Sequence, residues 1–163
     1  ELWGRTWTFA HNGQLKDIKR WPLGAFRPVG STDSEHAFCW MLEQLRQLGP
    51  DLQTMRRIDR EVARLCVELA PLGVFNMLMS DGRTLYAFCG KRLCWITRRA
   101  PFGKATLVDE DLSIDFSRET RPDDVASVIA TRPLTRDEAW TEAQLTMPDS
   151  QYIGAEYTSS SGK

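Results

Sequence analysis

A chain of 163 residues, 42% hydrophobic and 26% charged, is long enough for one domain with a real core. Its net charge of −1 leaves no electrostatic footprint for nucleic acid. No apolar run approaches the roughly 20 residues that span a bilayer, so neither nucleic acid nor membrane is expected as a partner. The N-terminus lacks a basic-then-apolar targeting pattern. Cys39, Cys66, Cys89 and Cys94 form no Cys-x-x-Cys pair, which argues against a zinc site and for reduced thiols in a cytoplasmic protein. Cys89 and Cys94 are spaced to meet across a hairpin.

The first predicted element is a short strand over Trp7–Ala10, rich in aromatic and β-branched residues. It runs into Asn12-Gly13, a strong turn signal. Residues 16–30 read as irregular, broken by Pro22, Gly24, Pro28 and Gly30. Thr32-Asp33-Ser34-Glu35 has the spacing of a capping box, with Thr32 as N-cap. From there Ala37, Phe38, Met41, Leu42, Leu45 and Leu48 follow at helical period until Gly49-Pro50. A second helix is predicted from about Asp51 to Ala70, its apolar stripe carried by Leu52, Met55, Ile58, Val62, Leu65, Cys66 and Leu69. Arg56, Arg57, Arg60, Glu61 and Arg64 take its wetter side.

From Gly73 the period changes to that of strands. Val74–Met79 is one, Asp81-Gly82 a hairpin turn, and Thr84–Cys89 the return. Lys91–Thr97 gives a third strand, Thr106–Val108 and Leu112–Phe116 a short pair, and Val125–Thr131 an apolar strand. Asp137–Gln144 reads as a final short helix capped near Thr135. The tail over 158–163 is small, polar and expected to be disordered. Two adjacent helices followed by a run of antiparallel strands give an α+β class with layered packing.

Three residues stand out chemically. Attack on an amide carbonyl creates an oxyanion that needs donors already aimed at it. The side-chain amide of Asn12 and the backbone N–H of Gly13 are suitable donors, and glycine lets a substrate approach the backbone closely. As a bare dipeptide Asn-Gly is also the commonest hairpin turn. Asp33 sits in the first turn of a helix, where the dipole favours an acid by about 0.3–1 kcal/mol. The same rigid position suits a carboxylate that binds an ammonium group.

The string Phe9-Ala10-His11-Asn12-Gly13-Gln14-Leu15, followed by Gly30-Ser31-Thr32-Asp33-Ser34-Glu35, resembles the glutaminase domain of class II glutamine amidotransferases, a branch of the N-terminal-nucleophile hydrolases. Glu1-Leu2-Trp3-Gly4-Arg5, Gly73-Val74-Phe75-Asn76-Met77-Leu78 and Arg98-Arg99-Ala100-Pro101-Phe102-Gly103 resemble a bacterial stand-alone subgroup. The resemblance covers residues 1 to about 140. It implies an Ntn-hydrolase-like four-layer αββα sandwich of antiparallel sheets over residues 1–157, with the N-terminal part of the domain lying outside this chain. By the same resemblance Asn12 and Gly13 form the oxyanion hole and Asp33 holds the α-ammonium of glutamine. His11 orients the loop and Thr32 supports it.

The family attacks with an N-terminal cysteine, and this chain begins with Glu1. The nucleophile, and the Arg that grips the substrate carboxylate, are therefore expected in sequence preceding Glu1. The competing expectation is a degenerate, non-catalytic interaction domain on the same scaffold. No internal cysteine substitutes, because none has a free α-amine beside its thiol. The expected substrate is a small molecule, glutamine or another γ-glutamyl compound. A γ-glutamyl hydrolase of a small-thiol pathway is the alternative enzyme. No metal or organic cofactor is implied. The expected protein partner is a second copy of the chain or a separate ammonia-accepting subunit.

Overall fold

The computed structural model describes residues 1–49, 55–110, 112–118, 121–143 and 153–156. In chain order the elements are β1 (Thr8–Leu15), α1 (Asp33–Gln47), α2 (Met55–Leu69), β2 (Gly73–Ser80), β3 (Thr84–Phe88), β4 (Cys94–Arg99), β5 (Lys104–Thr106), β6 (Ser113–Asp115), β7 (Val125–Ala130), β8 (Thr141–Glu142) and β9 (Ile153–Glu156). They divide into two compact units, residues 1–91 with 145–163, and residues 92–144.

The first unit is an antiparallel sheet of order β1-β2-β3-β9 with α1 and α2 packed on one face. Helix α1 forms where the capping box directs. The Glu35 N–H donates to Thr32 Oγ1 at 3.1 Å, and Gly30 N–H donates to Glu35 Oε1 at 3.0 Å. Gly30 thus takes the reciprocal half of the box, and its hydrogen bond holds the Glu35 carboxyl below the usual carboxylate range. The helical period turns Ala37, Trp40, Met41 and Leu45 of α1, and Ile58, Val62, Leu65 and Leu69 of α2, onto Phe75, Met77, Met79 and Tyr86 of the sheet. Phe9 of β1 stacks on Phe38 of α1 with ring centroids 5.1 Å apart.

The 21–31 segment has little regular structure but is tied to α1 at several points. His36 Nε2–H donates to Trp21 O at 2.9 Å, and Ala25 N–H donates to Glu43 Oε2 at 2.9 Å. Trp21 meets Trp40 edge-on at 4.7 Å. Buried Glu43 is also bound by Arg46, which together with Ala25 pulls its carboxyl down to about 2. The β2–β3 hairpin turns at Asp81-Gly82, with Gly82 at φ 83°. Asp81 is buried and pairs with Arg5, while Thr84 and Arg83 N–H donate to its Oδ1 at 2.8 and 3.0 Å.

The second unit has β4 between β7 and β8, and a separate β5-β6 ribbon. Arg98 on β4 binds Glu138 through Nε and Nη2 at 2.6 and 2.5 Å and lies 5.2 Å from the centre of the Phe116 ring.

Several expectations are corrected. Asn12-Gly13 is not a turn. It lies inside β1, where Asn12 pairs with Asn76 and Gly13 with Phe75. Pairing with all eight residues of β2 outweighs the local turn preference of the dipeptide. The third strand begins at Cys94, three residues later than the sequence suggests, and runs to Arg99. The final helix is absent. Thr135 Oγ1 donates to Glu138 at 2.6 Å and accepts from the Trp140 indole N–H at 2.9 Å instead of from a helix N-terminus. Thr141 and Glu142 then pair with Trp95 and Cys94 as β8. Cys89 and Cys94 form no disulfide, and all four cysteines are buried thiols. The edge strand β9, paired with β3, has no counterpart in the sequence reading. The predicted start of the second helix at 51–54, Gln144 and the 158–163 tail lie outside the described residues.

Candidate functional site

The strand β1 and the first turn of α1 form one corner of the first unit. Leu15 closes it, because its N–H donates to Asp33 Oδ2 at 2.7 Å. Ser34 N–H donates to Asp33 Oδ1 at 3.0 Å. Both Asp33 oxygens are thereby aimed by backbone donors, yet each keeps lone-pair capacity. The side chain stays half-buried at the helix start, where the α1 dipole favours negative charge. It lines an open depression of about 650 Å³ together with Gln14, Leu15, Lys16, Asp17, Lys19, Arg20, Ser31 and Thr32. A rigidly held carboxylate at the wall of a depression of this size can bind the ammonium group of a small molecule.

Asn12 is exposed, and its side-chain amide has no hydrogen-bond partner among the described residues. Its backbone is fixed, because Asn76 Nδ2 donates to Asn12 O at 3.3 Å. Asn76 is itself buried, and its Oδ1 accepts Gly90 N–H and Lys91 N–H at 3.2 and 3.1 Å. An unengaged amide donor on a pinned strand is preorganised for an oxyanion. Gly13 has φ 150°. A Cβ there would sit 1.8 Å from Val74 O, so no other residue fits without moving the strand pair.

His11 turns toward the helix side. Its Nδ1 lies 2.9 Å from Ser34 Oγ and its Nε2 3.1 Å from Val74 O. Thr32 is fully engaged as the helix cap. The corner therefore brings Asn12, Gly13, His11, Thr32 and Asp33 together. Two supporting residues, Ser34 and Asn76, escaped the sequence reading. The available signal for Asn76 was an amide in the middle of an apolar strand, a residue type that strands disfavour.

None of the four cysteines has the character of a nucleophile. All are buried, and burial pushes the thiols of Cys39, Cys66 and Cys94 up, away from the thiolate. Among the described residues no group of three or more His, Cys, Asp or Glu side chains is placed to hold a metal ion. No described helix is long and apolar enough to cross a membrane. The Arg98-Arg99 pair belongs to the second unit, and Arg98 is taken up by Glu138.

Comparison with known proteins places this corner in context. The family model for class-II glutamine amidotransferases matches residues 1–147. The Escherichia coli K12 protein YafJ, provisionally named a glutamine amidotransferase, is 57% identical over 141 residues, which are 86% of this chain and 55% of YafJ. A Haemophilus influenzae protein with a similar provisional name is 40% identical, over 88% of this chain and 49% of its own length. The chain thus spans about half the length of these relatives. A crystal structure from Pseudomonas aeruginosa, described as a predicted glutamine amidotransferase, superposes with a TM-score of 0.81 at 48% identity. It covers 96% of this chain and 60% of that one.

Proposed function

The chain belongs to the class-II glutamine amidotransferase family and has its Ntn-type α+β fold, and from that premise we propose that its β1–α1 corner is the oxyanion and ammonium half of a glutaminase site. The substrate is a small molecule with a free α-amine and a side-chain amide: glutamine or a γ-glutamyl amide. Asp33 pairs with the α-ammonium. An N-terminal cysteine of the full-length protein attacks the amide carbon as a thiolate. The electron pair of the carbonyl moves to oxygen, and the Asn12 side-chain N–H and Gly13 N–H stabilise that oxyanion. The C–N bond then breaks, the departing nitrogen takes the proton that the cysteine's α-amine accepted from its thiol, and ammonia or an amine leaves a thioester behind. Water hydrolyses the thioester, releasing the glutamyl acid and restoring the thiol.

The observation that carries this reading is the unengaged Asn12 amide on a strand whose backbone Asn76 pins, beside a carboxylate aimed by Leu15 and Ser34. The test is release of ammonia and glutamate by the full-length protein from glutamine, with γ-glutamyl amides and amides lacking the α-amine run in parallel. Turnover that requires the α-amine supports the assignment. Equal turnover without it removes Asp33 from the proposed role, and absence of turnover with every γ-glutamyl amide overturns the reading.

A further inference from the structure

The His11 imidazole touches three elements at once. It extends from β1 immediately before Asn12, it reaches Val74 O on β2 at 3.1 Å, and it reaches Ser34 Oγ in the first turn of α1 at 2.9 Å. The directions of these bonds follow from elementary chemistry. A backbone carbonyl only accepts, so Nε2 must carry a proton to bond Val74. In the neutral ring Nδ1 is then bare and accepts, so the Ser34 hydroxyl is the donor. The contact also explains Gly13 a second time. A Cβ at Gly13 would lie 1.8 Å from the Val74 oxygen and 3.0 Å from His11 Nε2, in the space the bond occupies.

We infer that Ser34 is a positioning residue: together with the Val74 carbonyl its hydroxyl holds His11 as the Nε2–H tautomer, and it couples the helix start that carries Asp33 to the strand segment that carries Asn12 and Gly13. This rests on the oxyanion reading of that strand. Ser34 serves the two halves of the site by different atoms. Its backbone N–H aims the Asp33 carboxylate, while its hydroxyl acts through His11 on the strand. Removing the hydroxyl therefore leaves the Asp33 grip in place and loosens only the oxyanion donors. Phe9 and Phe75 lie tilted against the ring at 6.5 and 5.2 Å between centroids.

The experiment uses the full-length protein and three forms: wild type, Ser34→Ala and Ser34→Thr. Long-range proton–nitrogen correlation spectra of the imidazoles give the tautomer and the state of Nδ1. Wild type is expected to show His11 protonated on Nε2 with a hydrogen-bonded, bare Nδ1. In Ser34→Ala the Nδ1 resonance shifts to that of a nitrogen without a donor. The same variant loses about tenfold in kcat, within the ~10²-fold that small misplacements cost, while KM stays within about twofold. Ser34→Thr, which restores the hydroxyl, restores both.

An Nδ1–H tautomer in wild type overturns the inference. So does an Nδ1 resonance that Ser34→Ala leaves unmoved, or a Ser34→Ala effect confined to KM. If the protein turns over no γ-glutamyl amide at all, the functional reading fails, while the spectra still decide whether Ser34 governs the His11 tautomer.

Discussion

Two polar clusters, the Asn12–Asp33 corner of the first unit and the Arg98–Glu138 cluster of the second, are built in opposite ways. In the second, each polar side chain is aimed at another. Arg98 bonds Glu138 twice, Thr135 donates to Glu138, and Trp140 donates to Thr135. In the first, the backbone is secured and the candidate binding atoms keep hydrogen-bonding capacity among the described residues. Asn12 is held through its carbonyl, Asp33 through two N–H groups, and Gly13 by its fit against Val74. A saturated network binds its own chain, whereas open donors and acceptors on rigid elements are available to a ligand. Arg98 of the conspicuous Arg98-Arg99 cation pair is thus taken up by its own chain, whereas the Asn12 amide has no partner among the described residues.

The difference is sharpest in what mutations should cost. Asn12→Ala in the full-length protein is expected to lower kcat for amide hydrolysis by about 10²–10³. Its thermal midpoint should not move, because the exposed side chain makes no hydrogen bond among the described residues. Near-wild-type turnover breaks the comparison at its open end. Arg98→Met is the reverse case. It removes charge-assisted hydrogen bonds at a largely covered site and should lower unfolding stability by about 1.5–3 kcal/mol, at about 2–4 °C of midpoint per kcal/mol for a protein this size. Turnover per folded molecule is expected to stay within about twofold, since Arg98 makes its hydrogen bonds to Glu138 of its own unit. A loss of turnover without a loss of stability would assign the Arg98 cluster a part in the chemistry.

How much of this was legible in the sequence depends on whether the deciding interaction is local. The α1 start was readable to the residue, because Thr32 and Glu35 cap within one turn. The β2–β3 hairpin was readable because Asp81-Gly82 sets its own turn. The candidate site residues were legible as a motif, but their setting in the sheet was not. Asn12-Gly13 signals a turn by itself, and only the partner strand, with Asn76 64 residues on from Asn12, converts it to a strand interior, a separation that local propensity never registers. Asp137–Gln144 failed for the same reason. Thr135 and Glu138 carry a helix-start spacing, yet Arg98 on β4 claims Glu138. Strand β9 depends wholly on β3 for its pairing. Ser34 and Asn76 were invisible because their roles lie in contacts across elements.

A third, smaller effect follows from Glu43, which holds the 21–31 segment on α1 beside the open corner. Arg46 and the Ala25 N–H lower its carboxyl to about 2, against about 4.3 in an unfolded chain. A carboxyl lowered on folding stabilises in full above its unfolded value and loses that contribution as pH falls toward and through its folded value. Acid titration of stability should therefore steepen between about pH 4.5 and 2. Glu43→Gln should flatten that window while leaving stability at neutral pH lower and less pH-dependent. An unchanged acid limb would show that the segment is held by Trp21 and His36 alone.

The smallest expected effect is on the thiols, and it tests whether the helix-covered face is as closed as the corner is open. Cys66 lies on the buried stripe of α2 at 1% exposure, and burial pushes its thiol well above the usual range. Only the thiolate is alkylated, and only where reagent can reach it. Native protein treated with iodoacetamide should thus carry no label at Cys66 by peptide mass, even when Cys39 and Cys89, at 8% and 9% exposure, begin to react. Cys66 should label only as fast as the whole unit opens, so its rate should rise in step with denaturant-induced unfolding. Fast labelling of Cys66 in native conditions would mean that α2 lifts from the sheet independently. The rigidity assigned to the β1–α1 corner would then have to come from the bonds of Asn76, Asp33 and His11 rather than from the packed layer behind them.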